Sequence, residues 1–166
     1  MSRDGQSEED RSVVGLLTHL VAKLRELHRA LVDVQRIRYE AAGGSIQGPV
    51  HLLRLLAEDP GFAWLRGLSE LIVNLEEILE HPELISVTAA GALREETARM
   101  IIPTAERSPA LGENYLLALQ ESASVAFAHG QVVQTLKLFP SPDSASTSEL
   151  LHVRHQIAEK KRHRRK

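Results

Sequence analysis

The chain predicts an all-α fold, a single compact bundle of about six helices with a flexible C-terminal tail, on three observations. Apolar residues recur at alternating gaps of three and four from Val13 to Val34 and again from Leu65 to Leu79, the spacing that keeps one face of a helix apolar. No stretch alternates apolar and polar residues as a half-buried strand does, and there is no internal repeat. The periodic stretches are separated by Gly-Gly, Asp-Pro, His-Pro and Ser-Pro, which stop or start helices.

A first helix is expected from Ser7, a capping hydroxyl followed by Glu8, Glu9 and Asp10 where the positive end of the helix dipole favours carboxylates. Val13, Leu17, Leu20, Leu24, Leu27, Leu31 and Val34 form a heptad seam, and Gly43-Gly44 closes the helix. Arg25, Arg29 and Arg36 share its outer face, ordinarily a solvated one. A short helix from Pro49 to Glu58 turns Val50, Leu53, Leu56 and Ala57 inward and ends at Asp59-Pro60.

The stretch DPGFAWLRGLSELIVNLEEILE, Asp59 to Glu80, is the expected centre. Leu65, Leu68, Ile72, Leu75 and Leu79 make one apolar face, and Trp64, Leu71 and Ile78 widen it beyond what a surface helix needs. Asp59 is placed to cap it and Pro60 to occupy its first position. Thr88 is the expected cap of a helix reaching Ile102 before Pro103, and Ser108-Pro109 opens the next. A break near Glu121 to Ser124 precedes a last stripe of Val125, His129, Val132, Leu136 and Phe139, ended by Pro140.

The expected organisation is therefore a bundle over 7–139, a flexible linker over 140–148 and a basic, partly helical tail over 149–166. Ser141 to Ser148 is composed of Ser, Pro, Asp, Ala and Thr, which are not expected to bury enough surface to order the stretch. Glu149 to Lys161 can form an amphipathic helix through Leu150, Val153 and Ile157.

Composition narrows the function classes. The apolar content of 43% with 25% charged residues is that of a globular domain. Cysteine is absent, which removes disulfides, thiolate metal sites and cysteine nucleophiles. The polar, acidic start MSRDGQSEED is unlike a secretory signal and no apolar run reaches membrane-spanning length, so a cytoplasmic protein without membrane contact is expected. The net charge of −2 conceals a division: KKRHRRK at 160–166 holds six of the twenty Lys and Arg, leaving the body at −8.

The run His28 to Glu40, then DPGFAWLRGLSELIVNLEEIL and NYLLALQESASVAFAHGQVV, resembles a family of small, uncharacterised all-helical bacterial proteins, over roughly Leu20 to Leu138. The resemblance implies an all-α fold and a bacterial source, and carries no activity with it. Gly67 stands where that pattern often has proline, and Ser122 to Ser124 where it has Asp-Pro.

Motifs for chemistry are missing. There is no phosphate-binding glycine loop and no G-x-S-x-G elbow. Glu149-x-x-His152 has the spacing of carboxylate-bridged di-metal bundles, with His155, Glu159 and His163 near the same face. Such a site needs a second Glu-x-x-His inside the bundle, and the chain has none, so a solvated polar helix is the expectation. No metal or cofactor is expected.

His28, beside the first seam, and His129, within the last stripe, are more simply explained by bonds to backbone or water than as a general base. Glu76, Glu77, Glu80 and Glu83 form an acidic edge that the basic tail can meet, in its own chain or a neighbour's. Lys160, Lys161, Arg162, Arg164, Arg165 and Lys166 are the candidate contacts for a polyanion such as nucleic acid, although no aromatic residue interleaves them.

The function expected is a non-enzymatic interaction or regulatory module. Its partner is a second copy or another helical protein, because the first seam is longer than one short neighbour covers. The alternative is a small-ligand-binding bundle with an apolar cavity bordered by Trp64, His28 and His129.

Overall fold

The structure, a computed structural model, describes residues 3–104 and 106–164, and the side chains within 8–104 and 106–163. Seven helices follow one another: α1 (Arg3–Ala41), α2 (Pro49–Glu58), α3 (Arg66–Leu79), α4 (Val87–Ile101), α5 (Gly112–Glu121), α6 (Ala123–Leu136) and α7 (Ser146–Arg164). Tight 3-10 turns at Pro60–Leu65 and Pro82–Leu84 lead into α3 and α4. The described residues form no strand, only an isolated bridge between Thr104 and Arg107. None of their helices is long and apolar enough to cross a membrane.

Helix α1 is the spine, 39 residues and thus about 58 Å long. It begins at Arg3 and runs through Ser7, ahead of the expected start. Gly5 costs about 1 kcal/mol in a helix, which does not stop one held by a buried seam downstream. At its other end Gly43, with φ of +93°, and the Gly44 N–H bonded back to the Tyr39 carbonyl at 3.0 Å close the helix as expected. Along the seam Val13, Leu17, Leu20, Leu24, Leu27 and Leu31 are buried. Helix α6 covers one flank and α3 another, with α4 and the Pro60–Leu65 turn completing the cover. The seam's length is thereby accounted for within one chain, by several neighbours in succession.

Asp59 caps as expected, its Oδ1 accepting the Gly61 N–H at 2.7 Å, but the helix it starts opens as a 3-10 turn and becomes α-helical only at Arg66. In that turn Phe62 is buried, edge-on to Tyr39 of α1. Leu68, Leu71, Ile72, Leu75 and Ile78 carry α3 into the core. Ser86, not Thr88, caps α4, accepting the Ala89 N–H at 3.1 Å. Helix α5 starts at Gly112, later than Ser108-Pro109 suggested, because Gly112 takes φ of +75° at the turn. The break near Glu121 is real: Ser122 ends α5 and caps α6, its Oγ accepting the Val125 N–H at 3.3 Å.

The expected flexible tail is a correction. Residues Ser146–Arg164 are one helix, α7, packed on α4 and α3 through buried Leu150, Val153 and Ile157. Two features fix its start. Gly91, on the small-residue face of α4, leaves space for the crossing chain, so that a Cβ there would meet Pro142 Cα at 3.0 Å and the Ser141 carbonyl oxygen at 3.2 Å. Asp143 then accepts the Ala145 N–H and the Ser146 hydroxyl, both at 2.9 Å, while the buried Ser146 Oγ accepts the Asp143 N–H at 3.0 Å. Those bonds hold the Asp143 carboxyl below its ordinary pKa, the Ser146 hydroxyl first and the Ala145 N–H next.

Candidate functional site

Trp64, His28 and His129 do not border one hollow. Each ends on a partner of its own: Trp64 Nε1 donates to Gln35 Oε1 at 3.1 Å, His28 Nε2 lies 2.8 Å from Ser69 Oγ, and His129 Nδ1 lies 2.6 Å from the Tyr115 hydroxyl. Backbone or water were the expected partners of the two histidines, and the actual ones are hydroxyls on neighbouring helices. Burial holds both histidines below their ordinary pKa, hence neutral near pH 7, and pushes the Tyr115 hydroxyl up, so it keeps its proton.

The His28–Ser69 pair lies in an apolar groove of about 520 Å³ between α1, α2 and α3. Val32, Leu52, Leu56, Ile72 and Val73 line it, with Arg25, Arg29 and Asp33 at the α1 edge. A histidine beside a serine invites comparison with a nucleophile and its base. The surroundings do not complete that arrangement. Ser69 is the fourth residue of α3, so its own N–H and that of Glu70 after it belong to the helix ladder rather than facing an oxyanion. Its single proton has two acceptors in reach, His28 Nε2 at 2.8 Å and the Leu65 carbonyl oxygen at 3.3 Å, and no carboxylate is bonded to the His28 ring among the described residues. The pair bridges α1 to α3.

A second groove, about 530 Å³, runs along the other flank of α1. Ala30 of α1 and Ala123, Ser124, Phe127 and Ala128 of α6 line it, and Arg29 and Asp33 stand at its edge as at the first. Both grooves are bordered by large apolar side chains left in solvent: Val73 is 59% and Phe127 70% exposed. Ile37, on the α1 crest itself, is 60% exposed. On α2, Val50 and Leu53 also face solvent, at 73% and 64%, against the expectation that they turn inward; Leu55 is the buried residue of that helix.

The basic end of the chain meets the acidic edge. Lys160 pairs with Glu83 and Lys161 with Glu77, while Arg154 grips Glu96 of α4 through two bonds of 2.9 and 2.7 Å. Glu76 pairs instead with Arg25 of α1 at 2.6 Å. Two of the six candidate polyanion contacts are thus spent on the protein's own carboxylates. Arg162 is exposed, and the side chains of Arg164, Arg165 and Lys166 lie outside the described residues. The di-metal spacing also comes apart. Glu149 turns to Ser86 at 3.4 Å, His152 points to solvent and His155 pairs with Glu159 at 3.4 Å. The described residues contain no group of three or more side chains able to hold a metal.

The sequence missed the apolar side chains of this outer face, because Phe127 and Val73 look like core residues until their helices are oriented. The arginines of the α1 outer face were the one legible signal. The chain matches no family model, no curated protein and no solved structure.

Proposed function

We propose that the protein is a non-enzymatic interaction module that associates with a second copy of itself. One observation carries the reading: the crest of α1, with Ile37 on it, is flanked by two apolar grooves that leave Phe127 and Val73 in solvent. Single exposed apolar residues are ordinary, whereas several bordering adjacent grooves about a charged crest have the make-up of a contact face. The heptad seam no longer supplies the reason for association, since it is covered internally; the opposite side of the same helix does.

Sedimentation velocity of the full chain up to high-micromolar concentration tests this. Association is expected, and Phe127→Ser with Val73→Ser is expected to abolish it while the melting temperature stays put. A wild-type chain that sediments only as monomer overturns the reading.

A second reading, a small amphipathic ligand in the α1–α2–α3 groove, is favoured by the His28 and Ser69 polar groups in its otherwise apolar lining. Native mass spectrometry of the purified protein checks it, and a spectrum free of retained ligand counts against it.

A further inference from the structure

Resting on the self-association reading, we propose that the two copies pack with their α1 helices antiparallel, crest to crest, about a two-fold axis level with Leu31. The order of charges on the crest selects this arrangement. Arg29 and Asp33 stand equally far on either side of Leu31, and so do Glu26 and Arg36, all four facing solvent. An antiparallel second copy centred there sets Arg29 against the partner's Asp33 and Glu26 against the partner's Arg36, and the symmetry repeats each pair. A parallel copy sets Arg29 against the partner's Arg29 and Asp33 against the partner's Asp33, which is repulsive throughout.

The apolar positions agree with the same operator. A two-fold axis lying in the contact plane and crossing α1 brings each flank onto its own equivalent. The groove bordered by Phe127 meets the partner's same groove, and the groove bordered by Val73 likewise.

Within one chain these charges are loosely held. Arg29 has no ion pair among the described residues, Asp33 has only Arg36 at 3.7 Å, and Glu26 has Lys23 at 3.1 Å on an exposed surface. They are free to exchange into pairs across the contact, where the flanking apolar groups exclude water from them.

The test uses charge reversal in the full chain. Arg29→Asp sets two acidic residues against two acidic residues, and Asp33→Arg two basic against two basic. Each is expected to raise the dimer dissociation constant on the order of a hundredfold in sedimentation. Mixing the two variants restores association, as does carrying both changes in one chain. Since the positions are exposed, circular dichroism is expected to show an unchanged fold.

The chain has no cysteine, so Ala22→Cys gives a unique spin-label site. Antiparallel packing offsets the two labels by about 27 Å along the axis, being opposite Glu40 rather than each other, at 1.5 Å per residue. Parallel packing leaves them about 10 Å apart. A dimer unmoved by both reversals, or a short label distance, overturns this proposal while leaving self-association in place. A monomeric wild type removes both.

Discussion

The docking of α7 makes a prediction that separates a core helix from an appended tail. Ile157, 3% exposed, lies on the face of α7 turned to α3, close to Ile78, with Leu150 and Val153 along the same stripe. Ile157→Ala removes three buried carbons. Large-to-small core changes of this kind cost about 2–5 kcal/mol, and a site in the outermost layer of the bundle relaxes enough to sit in the lower half, about 2–3 kcal/mol. Alanine's better helix propensity returns only a few tenths. For a domain of this size each kcal/mol moves the melting temperature by roughly 2–4 °C, so the expected drop is about 4–12 °C. Thermal melts followed by far-UV circular dichroism measure it, with Leu151→Ala as the control. Leu151 is on the same helix but 60% exposed, and its loss should cost within about 0.5 kcal/mol. If the two variants melt together, α7 is not part of the cooperative unit and its contacts with α3 and α4 contribute nothing to stability.

Acid should weaken the fold through His28 and His129. Both have folded-state pKa values held below the ordinary histidine value by burial, so between those values the unfolded chain binds more protons than the folded one. Their contribution is complete above about pH 6.5 and is lost as pH falls through that value toward the depressed ones; urea midpoints on either side should show this, and His28→Gln with His129→Gln should flatten the difference. Tyr115→Phe removes the hydroxyl from His129, which is only half-buried and can turn to water, so urea unfolding should register about 1 kcal/mol; a loss beyond about 3 kcal/mol would mean that Nδ1 is sealed. Gly91→Ala should lower the melting temperature although alanine favours helices by about 1 kcal/mol, because the new methyl presses on backbone atoms of Pro142 and Ser141 that cannot swing aside. A rise would mean that the crossing chain is loosely seated.

What could be read from the sequence was whatever one helix decides by itself. The Leu17-to-Leu31 seam, the Gly43-Gly44 closure, Asp59 before Pro60 and the break at Ser122 all depend on residues a few positions apart. The order of the 141–148 stretch does not. It depends on Asp143 and Ser146 binding each other, which is local, and on the absence of a side chain at Gly91 on another helix, which is not. A Ser- and Pro-rich composition therefore looked like linker because the surface it lies on belongs to α4. The histidine partners were hidden for the same reason: nothing near His28 or His129 in the chain announces Ser69 or Tyr115. The meeting of the basic end with the acidic edge was legible because charge needs no register to be complementary, and Lys160 with Glu83 and Lys161 with Glu77 realise it. The α1 crest lies between these cases. Its charges were in view from the start, but their balance about Leu31 acquires a physical consequence only once the Leu17-to-Leu31 face is known to be filled from within and Phe127 and Val73 are known to flank the other side. One helix can then serve two ends, with one face holding the chain to itself and the opposite face, whose charges cancel only against a reversed copy, selecting the direction of a second chain.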